Sequence, residues 1–579
     1  MNHIELFAGC GGLSLGLEAA GFEMLLANEL SPMAAETFAY NLLGFDASKN
    51  PSNTPDNIQW GDSSFPRNDP SRWSECPVDF LMGEPTTVYN DLLSSKGPES
   101  LKGGLIVGSI LQLNKTFQRP EGKKLLSVIK GAFGEGRVDL VSGGPPCQGF
   151  SMAGLRDKND EKNSLPYAFA DFVSMVRPRM ALLENVTGIL RPFSDNSGKH
   201  YASVNVARVF ADQGYVPLCL HVNAKYAGAA QNRRRFIMLA FDDQLASDLI
   251  EACDDKPVRN ALIQAMGFAM AVRGVSNKVD FPHEFMAVHD LEAHISGKRP
   301  NELFNSPIFA PLSAYAGLEF TVGEAIGDLC SERVGKRDYV QHINRLMEPV
   351  VYHDDAQPPN HVMRRNSKKI QARFRLYQVV ERLQASERKG IIRYLTSATT
   401  EAIESGELLG LGDCMPKSIL QTLAKEQNWL LNPEGERIQI TDSSALFRLL
   451  ELLHTKKRSQ RALNRDKPAP AALSIPDDAC HYLETMDQRT LTVREMARFQ
   501  SFPDGFVFRS KETTGGIRRR FEVPQYTQVG NAVPPILGEA LGKVCAALLT
   551  VGRTAIISDT PLRASQTQAE VPVALGKVR

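Results

Sequence analysis

The sequence predicts an α/β fold, a doubly wound sheet with a second, smaller domain, and three observations predict it. Short apolar runs alternate with stretches of helical periodicity up to about residue 241. Polar groups gather at the ends of those runs: Glu29, Asp62, Cys147 and Glu184. Open α/β sheets collect their working groups at the carboxyl ends of strands. The alternation then stops at about Asp242 and ordered motifs return from about 486, leaving a stretch of domain size between them.

His3 to Phe7 reads as the first strand, followed by the glycine turn Gly9-Cys10-Gly11-Gly12 and a helix marked by Leu13, Leu17 and Ala20. Strand, glycine turn and helix is the arrangement in which backbone amides at a helix start approach a cofactor closely. Met24 to Asn28 is the second strand. Glu29 at its tip suits a ribose diol, because a carboxylate accepts from two hydroxyls. Ile58 to Asp62 is the third strand, with Asp62 placed to meet an adenine amino group or simply to close a turn. From about 63 to 136 the alternation lapses, and this stretch reads as an insertion before the fourth strand. That strand, Asp139 to Ser142, is closed by Gly143 and Gly144. Pro145 and Pro146 remove two backbone donors and stiffen the turn that presents Cys147. A buried structural cysteine is the ordinary alternative.

A helix with Leu165, Phe169, Phe172 and Val176 on one face follows. Met180 to Leu183 then forms a strand that delivers Glu184-Asn185-Val186 at its tip. Val204 to Gln213 reads as helix, and Val216 to Val222 and Arg235 to Phe241 as strands, with Gln231, Arg233 and Arg235 at the entrance to the last. Beyond Asp242, His361 to Arg393 carries Arg364, Arg365, Lys368, Lys369, Arg373, Arg375 and further cations on a helix with a basic face. A solvated surface is the plain reading of such a face, and contact with phosphates the functional one. Lys456, Lys457, Arg458, Arg461 and Arg465 form a second cluster. Thr492 begins an amphipathic helix, and Gln528 to Pro535 is a second glycine turn, leading into an apolar helix as far as Leu549. Residues 554 to 579 read as a loose tail.

Composition narrows the class. Hydrophobic residues make up 42% and charged residues 23%, and the nine cysteines include no CxxC pair. That argues against zinc and against a disulfide framework, and fits a reducing compartment. The 66 basic and 66 acidic residues cancel, so a nucleic-acid surface has to be local. The start lacks the basic segment and apolar core of a signal peptide. A cytoplasmic protein is expected.

Together these pieces resemble the cytosine-5 DNA methyltransferases. The family's cofactor motif is similar to Phe7, Gly9, Gly11 and Gly12, its ribose acid to Glu29 and its adenine-side acid to Asp62. Its Pro-Cys nucleophile motif is similar to Gly144 through Gln148, and its Glu-Asn-Val motif to Glu184 through Val186. Its Gln-x-Arg-x-Arg motif is similar to Gln231, Arg233 and Arg235. Two further motifs resemble Leu491 through Pro503 and Gln528 through Pro535. The resemblance implies a Rossmann-like, S-adenosyl-L-methionine-dependent methyltransferase sheet over 1–241, with its insertion, and a DNA-binding target recognition domain over 242–485. Residues 486–553 then return to the catalytic domain. It also implies that Leu165 and Asn531 contact the cofactor, and that Gln148, Ser151, Arg364, Arg365, Lys368 and Lys369 contact double-stranded DNA. A monomer is expected, with a restriction endonuclease or defence partner acting on the same site.

The implied chemistry is specific. Cytosine C5 is a poor nucleophile, and a thiolate from Cys147 added at C6 turns the ring into an enamine-like species. Glu184 in its protonated form donates to N3, which requires a raised pKa in a desolvated pocket. Arg235 is the candidate for O2, and Arg233 supports the nucleophile loop. Because C6 is stacked in a duplex, the base must flip out. A transfer RNA cytosine-5 methyltransferase with the same core is the alternative. The large region after Asp242 favours DNA.

Overall fold

The computed structural model describes residues 1–76, 88–93, 97–146, 164–195, 198–275, 285–329, 338–347, 358–397, 423, 429–440, 442–457, 459–472, 479–483, 488–516, 518 and 521–558. A nine-stranded sheet organises the chain. Its strands are β1 (Asn2–Leu6), β2 (Glu23–Glu29), β3 (Ile58–Trp60), β4 (Gly104–Val107), β5 (Leu140–Gly143), β6 (Met180–Val186), β7 (Tyr215–Asn223), β8 (Arg234–Asp242) and β9 (Val288–Asp290). They lie side by side in the order β9-β7-β8-β6-β5-β1-β2-β4-β3. All neighbouring pairs are parallel except those of β8, which runs antiparallel to both β6 and β7. The inner strands are buried on both faces because helices cover both sides, as parallel sheets require.

The third strand along the chain is not the neighbour of the second in the sheet. Gly104–Val107 pairs with β2 on one side and with β3 on the other, so Ile58–Trp60 becomes the outer edge. The stretch read as an insertion without regular alternation also holds α1 (Ile110–Gln118) and α2 (Lys123–Lys130), which bury Leu113, Phe117, Leu125 and Ile129. A four-residue strand between glycines leaves too little pattern to be read locally. Around it, Arg72 forms a bidentate pair with Asp91 (2.7 and 3.2 Å), and its guanidinium lies over the Trp60 ring.

The region after Asp242 divides. Asp243–Ala252, Lys256–Val272 and β9 pack onto the sheet, and Leu303, Phe309, Val322, Tyr339 and Ile343 join the same core. A separate core forms only from Ala372 to Cys480, around Phe374, Leu376, Val380, Ile391, Leu395, Leu446 and Leu450. The second domain is therefore narrower than the 242–485 read from the lapse in alternation. Helices that lie on the edge of a sheet interrupt the strand pattern without leaving the domain.

The chain closes on itself. The first helix, α3 (Gly12–Ala19), packs against the last, α4 (Pro535–Ser558), at glycines on both partners. A Cβ on Gly16 would sit 2.3 Å from the Pro535 carbonyl oxygen, so the helices meet at backbone distance. The apolar stretch Gln525–Gly552 is long enough to cross a membrane, but most of it is buried in this protein core. The last helix runs to Ser558, past the expected end at Leu549. The tail expected from 554 is therefore helical as far as Ser558, and the rest of it lies outside the described residues.

Candidate active site

The glycine turn after β1 is built for close approach. Phe7, Gly9 and Gly11 adopt positive φ (55, 56 and 95°). A Cβ on Gly11 would meet the Leu42 and Phe38 side chains at 2.6 and 3.0 Å, and one on Gly12 the Val533 carbonyl oxygen at 2.4 Å. Glu29 ties the neighbouring tips together. It accepts from the Gly9 amide through one oxygen and from the Ser31 amide through the other, both at 2.8 Å. Burial pushes its carboxyl up, and the amides of Ser31, Gly9 and Leu30 oppose that. Each oxygen keeps a further lone pair for an incoming hydroxyl. Leu165 is half-buried at the start of Leu165–Val176, and Asn531 is exposed at the end of Gln525–Asn531.

Asp62 follows β3 and is half-buried. Burial pushes its carboxyl up to about 6, against the charges of Arg119 and Lys115 and a hydrogen bond from Asn90. One carboxylate oxygen is buried without a hydrogen-bond partner among the described residues. An orphaned acceptor beside a cradle of positive-φ glycines fits a ligand that carries a ribose and an amino-purine.

At the next tips, β6 delivers Glu184, which is 8% exposed. The Arg235 guanidinium lies 2.5 Å from its carboxylate as an ion pair; the Arg235 Nε–H itself has no aligned hydrogen bond. The sheet register explains the meeting. Ile237 stands opposite Glu184 and Arg235 opposite Val186, so these side chains share one face of the antiparallel β6/β8 pair. Gly144 leaves room for the Glu184 carboxylate, since a Cβ there would come within 2.9 Å of it. Asn185 turns to the other side and donates to the Pro145 carbonyl at 3.2 Å, fixing the turn that leads to Cys147. Cys147, Gln148 and Ser151 lie outside the described residues.

Arg233 stands just before β8, and the nucleophile loop it is expected to support lies outside the described residues. Arg233 is 3% exposed, and its described partners are the carbonyls of Ala472, Gly530 and Ala532 (3.3, 2.9 and 3.0 Å). It therefore braces the 528–535 turn. Burial, and then the like charge of Arg235, push its pKa down, with Glu184 in opposition. The carbonyl oxygens are what make a buried guanidinium tolerable. Gln231 does similar work, donating to the Phe499 carbonyl and to the Gln500 side chain and accepting from the Ala472 amide. Only the folded chain brings these carbonyls near, so no local sequence signal announces them.

The basic stretch also sorts differently from expectation. It forms two helices, α5 (Lys368–Val380) and α6 (Ala385–Ser397). Arg365, Lys368 and Lys369 are exposed, and half-buried Arg364 lies over the Tyr526 ring at 5.9 Å. Arg373 and Arg375 instead point into the second core, donating to the carbonyls of Leu453, His454 and Trp429. Just before α5, Asn360 clips the strand of chain to the catalytic core. Its side chain donates to the Phe508 carbonyl and accepts from the Phe508 amide, both at 2.9 Å. His361 bonds the Thr492 hydroxyl at 2.8 Å.

Known proteins of similar sequence point the same way. The chain is 23% identical over 543 residues to the type II methyltransferase M.DdeI of Desulfomicrobium norvegicum, covering 94% of this chain and 88% of that protein. It is 25% identical over 571 residues to the type II methyltransferase M.AgeI of Thalassovita gelatinovora, covering 94% and 98%. A solved structure described as a candidate prophage-encoded DNA modification methyltransferase of E. coli aligns over 95% of this chain and 99% of its own, at 18% identity and a TM-score of 0.40. The family of C-5 cytosine-specific DNA methylases matches residues 1–62 and 109–547, passing over the stretch that contains β4. On that match the chain belongs to the C-5 cytosine-specific DNA methylase family, and it is a DNA (cytosine-5)-methyltransferase whose methyl donor is S-adenosyl-L-methionine.

Proposed function

We propose that this enzyme methylates one cytosine within a specific double-stranded sequence, as the modification partner of a restriction endonuclease, and that Cys147 is its nucleophile. The observation that carries the reading is the Glu184–Arg235 pair, held 2.5 Å apart beside the Pro145 turn that leads to Cys147. The names of M.DdeI and M.AgeI support the restriction–modification setting, since both are type II methyltransferases.

The target cytosine flips out of the duplex, because its C6 edge is otherwise stacked. The Cys147 thiolate adds to C6, Glu184 donates a proton to N3, and Arg235 donates to O2, where charge develops. S-adenosyl-L-methionine supplies the methyl group that C5 takes up. Loss of the C5 proton then lets the thiolate leave. Phe7, Gly9, Gly11, Gly12, Glu29, Asp62, Leu165 and Asn531 would hold the donor. The second core, with Arg364, Arg365, Lys368 and Lys369 at its edge, would grip the phosphates and serve as the target recognition domain. The enzyme acts as a monomer in the cytoplasm.

Bisulfite mapping of DNA from cells expressing the protein, with a Cys147→Ser control, tests this directly. One methylated motif that vanishes in the control is expected. A duplex carrying 5-fluorocytosine at that motif should trap an adduct on Cys147. An adduct on another cysteine, or methylation found only in RNA, would overturn the assignment.

A further inference from the structure

A short hairpin of the second core pairs Leu430–Leu431 antiparallel with Arg437–Ile438. Its turn is closed from within. The Asn432 amide donates to the Glu436 carbonyl (3.0 Å) and the Gly435 amide to the Asn432 carbonyl (2.9 Å). The Asn432 side chain accepts from the Glu436 amide (2.8 Å) and donates to the Glu436 carboxylate (3.0 Å). Gly435 has φ 85°, and a Cβ there would lie 3.3 to 3.5 Å from the Lys368 side chain. The turn therefore rests against the end of α5 that carries the exposed Lys368 and Lys369. Arg437 is exposed on this hairpin, and its guanidinium lies 4.2 Å from the Trp429 ring centroid. Arg375 lies over the same ring at 4.0 Å, and its Nε–H donates to the Trp429 carbonyl at 2.8 Å, which pins the ring from the core side. Burial, and then the like charges of Arg382 and Arg437, push the Arg375 pKa down to about 10. Among the described residues Arg437 has no hydrogen bond and no ion pair.

Stacking on Trp429 fixes the plane of the Arg437 guanidinium and leaves its N–H edge to solvent. Such an edge matches two acceptors side by side, either on a phosphate or as O6 and N7 of guanine. Glu434 and Glu436, exposed on the same turn, decide between them. Two carboxylates repel a phosphate, whereas either accepts from the amino group of the cytosine paired with that guanine. A two-stranded ribbon is also of a size that the major groove admits. We propose that this hairpin enters the major groove and that Arg437, stacked on Trp429, reads one guanine of the recognition sequence. The inference rests on the second core being the target recognition domain, and it names the side chain there that meets a base edge. Lys368, beside the turn, takes a neighbouring phosphate.

Methylation mapping and duplex titration over a salt series test this on the full chain. Arg437→Ala, at an exposed position, should change the melting temperature little and relax one guanine of the methylated motif. The preference for that guanine, about tenfold to hundredfold, should fall to about twofold, with the slope of log affinity against log salt unchanged. Arg437→Lys keeps the charge without the fork and should relax the same position partway. If Arg437→Ala keeps the motif and weakens all duplexes alike, with a slope reduced by about 0.9, the side chain holds a phosphate and the inference is overturned. It is overturned equally if motif, affinity and slope all stay as they were. Neutralising Arg364, Arg365, Lys368 and Lys369 separates the two failures. A reduced slope keeps the second core on DNA and confines the failure to Arg437, whereas an unchanged slope removes the reading of the second core as well.

Discussion

Glu184 is held on three sides: by Arg235, by the glycine that leaves room for its carboxylate, and by the register that puts both on one face. Glu184→Gln keeps the shape and removes the proton. It should lower kcat roughly 100- to 10,000-fold while duplex affinity stays within about twofold; a variant that turns over normally would remove Glu184 from the chemistry. Glu5 is a second buried acid of a different kind. It is 2% exposed on β1, hydrogen-bonded to the Ser14 hydroxyl, and burial pushes its carboxyl up to about 8 against that bond. The folded state therefore holds a proton that the unfolded chain, with a carboxyl near 4.5, releases. Stability from this group is complete below pH 4.5 and is lost as pH rises to about 8. Glu5→Gln should flatten that decline in denaturation midpoints between pH 5 and 8, and an identical slope in both proteins would refute it. The strand-tip positions of Glu29 and Glu184 were legible in the sequence, because each polar group ends a buried apolar run. The carbonyl partners of Arg233 were not, since Ala472, Gly530 and Ala532 lie far along the chain.

At the level of elements, α5 shows why charge alone misleads. The sequence offers a run of cations, and the fold commits Arg373 and Arg375 to carbonyls inside the second core while leaving Arg365, Lys368 and Lys369 outside. Neutralising Arg364, Arg365, Lys368 and Lys369 together should reduce the slope of log affinity against log salt by about 0.9 for each phosphate left without a cation. Arg375→Gln should instead unfold the second core and leave the slope of the surviving folded protein unchanged. Equal effects from the two sets would mean the exposed cations do not touch DNA. Strand β4 shows the converse limit. Its four residues lie between glycines in a stretch without period, and only pairing with β2 and β3 makes them a strand. The start of helix Val493–Phe499 was plain in sequence from Thr492, and the structure adds Glu495 as the second half of a capping box.

For the whole molecule, the doubly wound sheet was legible from alternation, but the closure of the chain on itself was not, because a helix pair at backbone distance leaves only scattered glycines as its trace. Gly16→Ala places a methyl 2.3 Å from the Pro535 carbonyl oxygen and 2.5 Å from the Glu539 amide nitrogen. That should cost about 1 to 3 kcal/mol of stability and weaken cofactor binding, read by thermal melting with and without S-adenosylhomocysteine. An unchanged melting temperature would show that the helices give way at no cost. The same closure has a consequence for biosynthesis. Cys10, in the cofactor turn, touches the Gln528 carbonyl, 518 residues later in the chain, and Gly12 packs beneath Val533. A ribosome adding roughly 5 to 20 residues per second delivers the second partner about half a minute to two minutes after the first. Until then the turn lacks its floor, so a nascent chain cannot complete its cofactor turn before residues 528 to 533 have been made and folded back onto it.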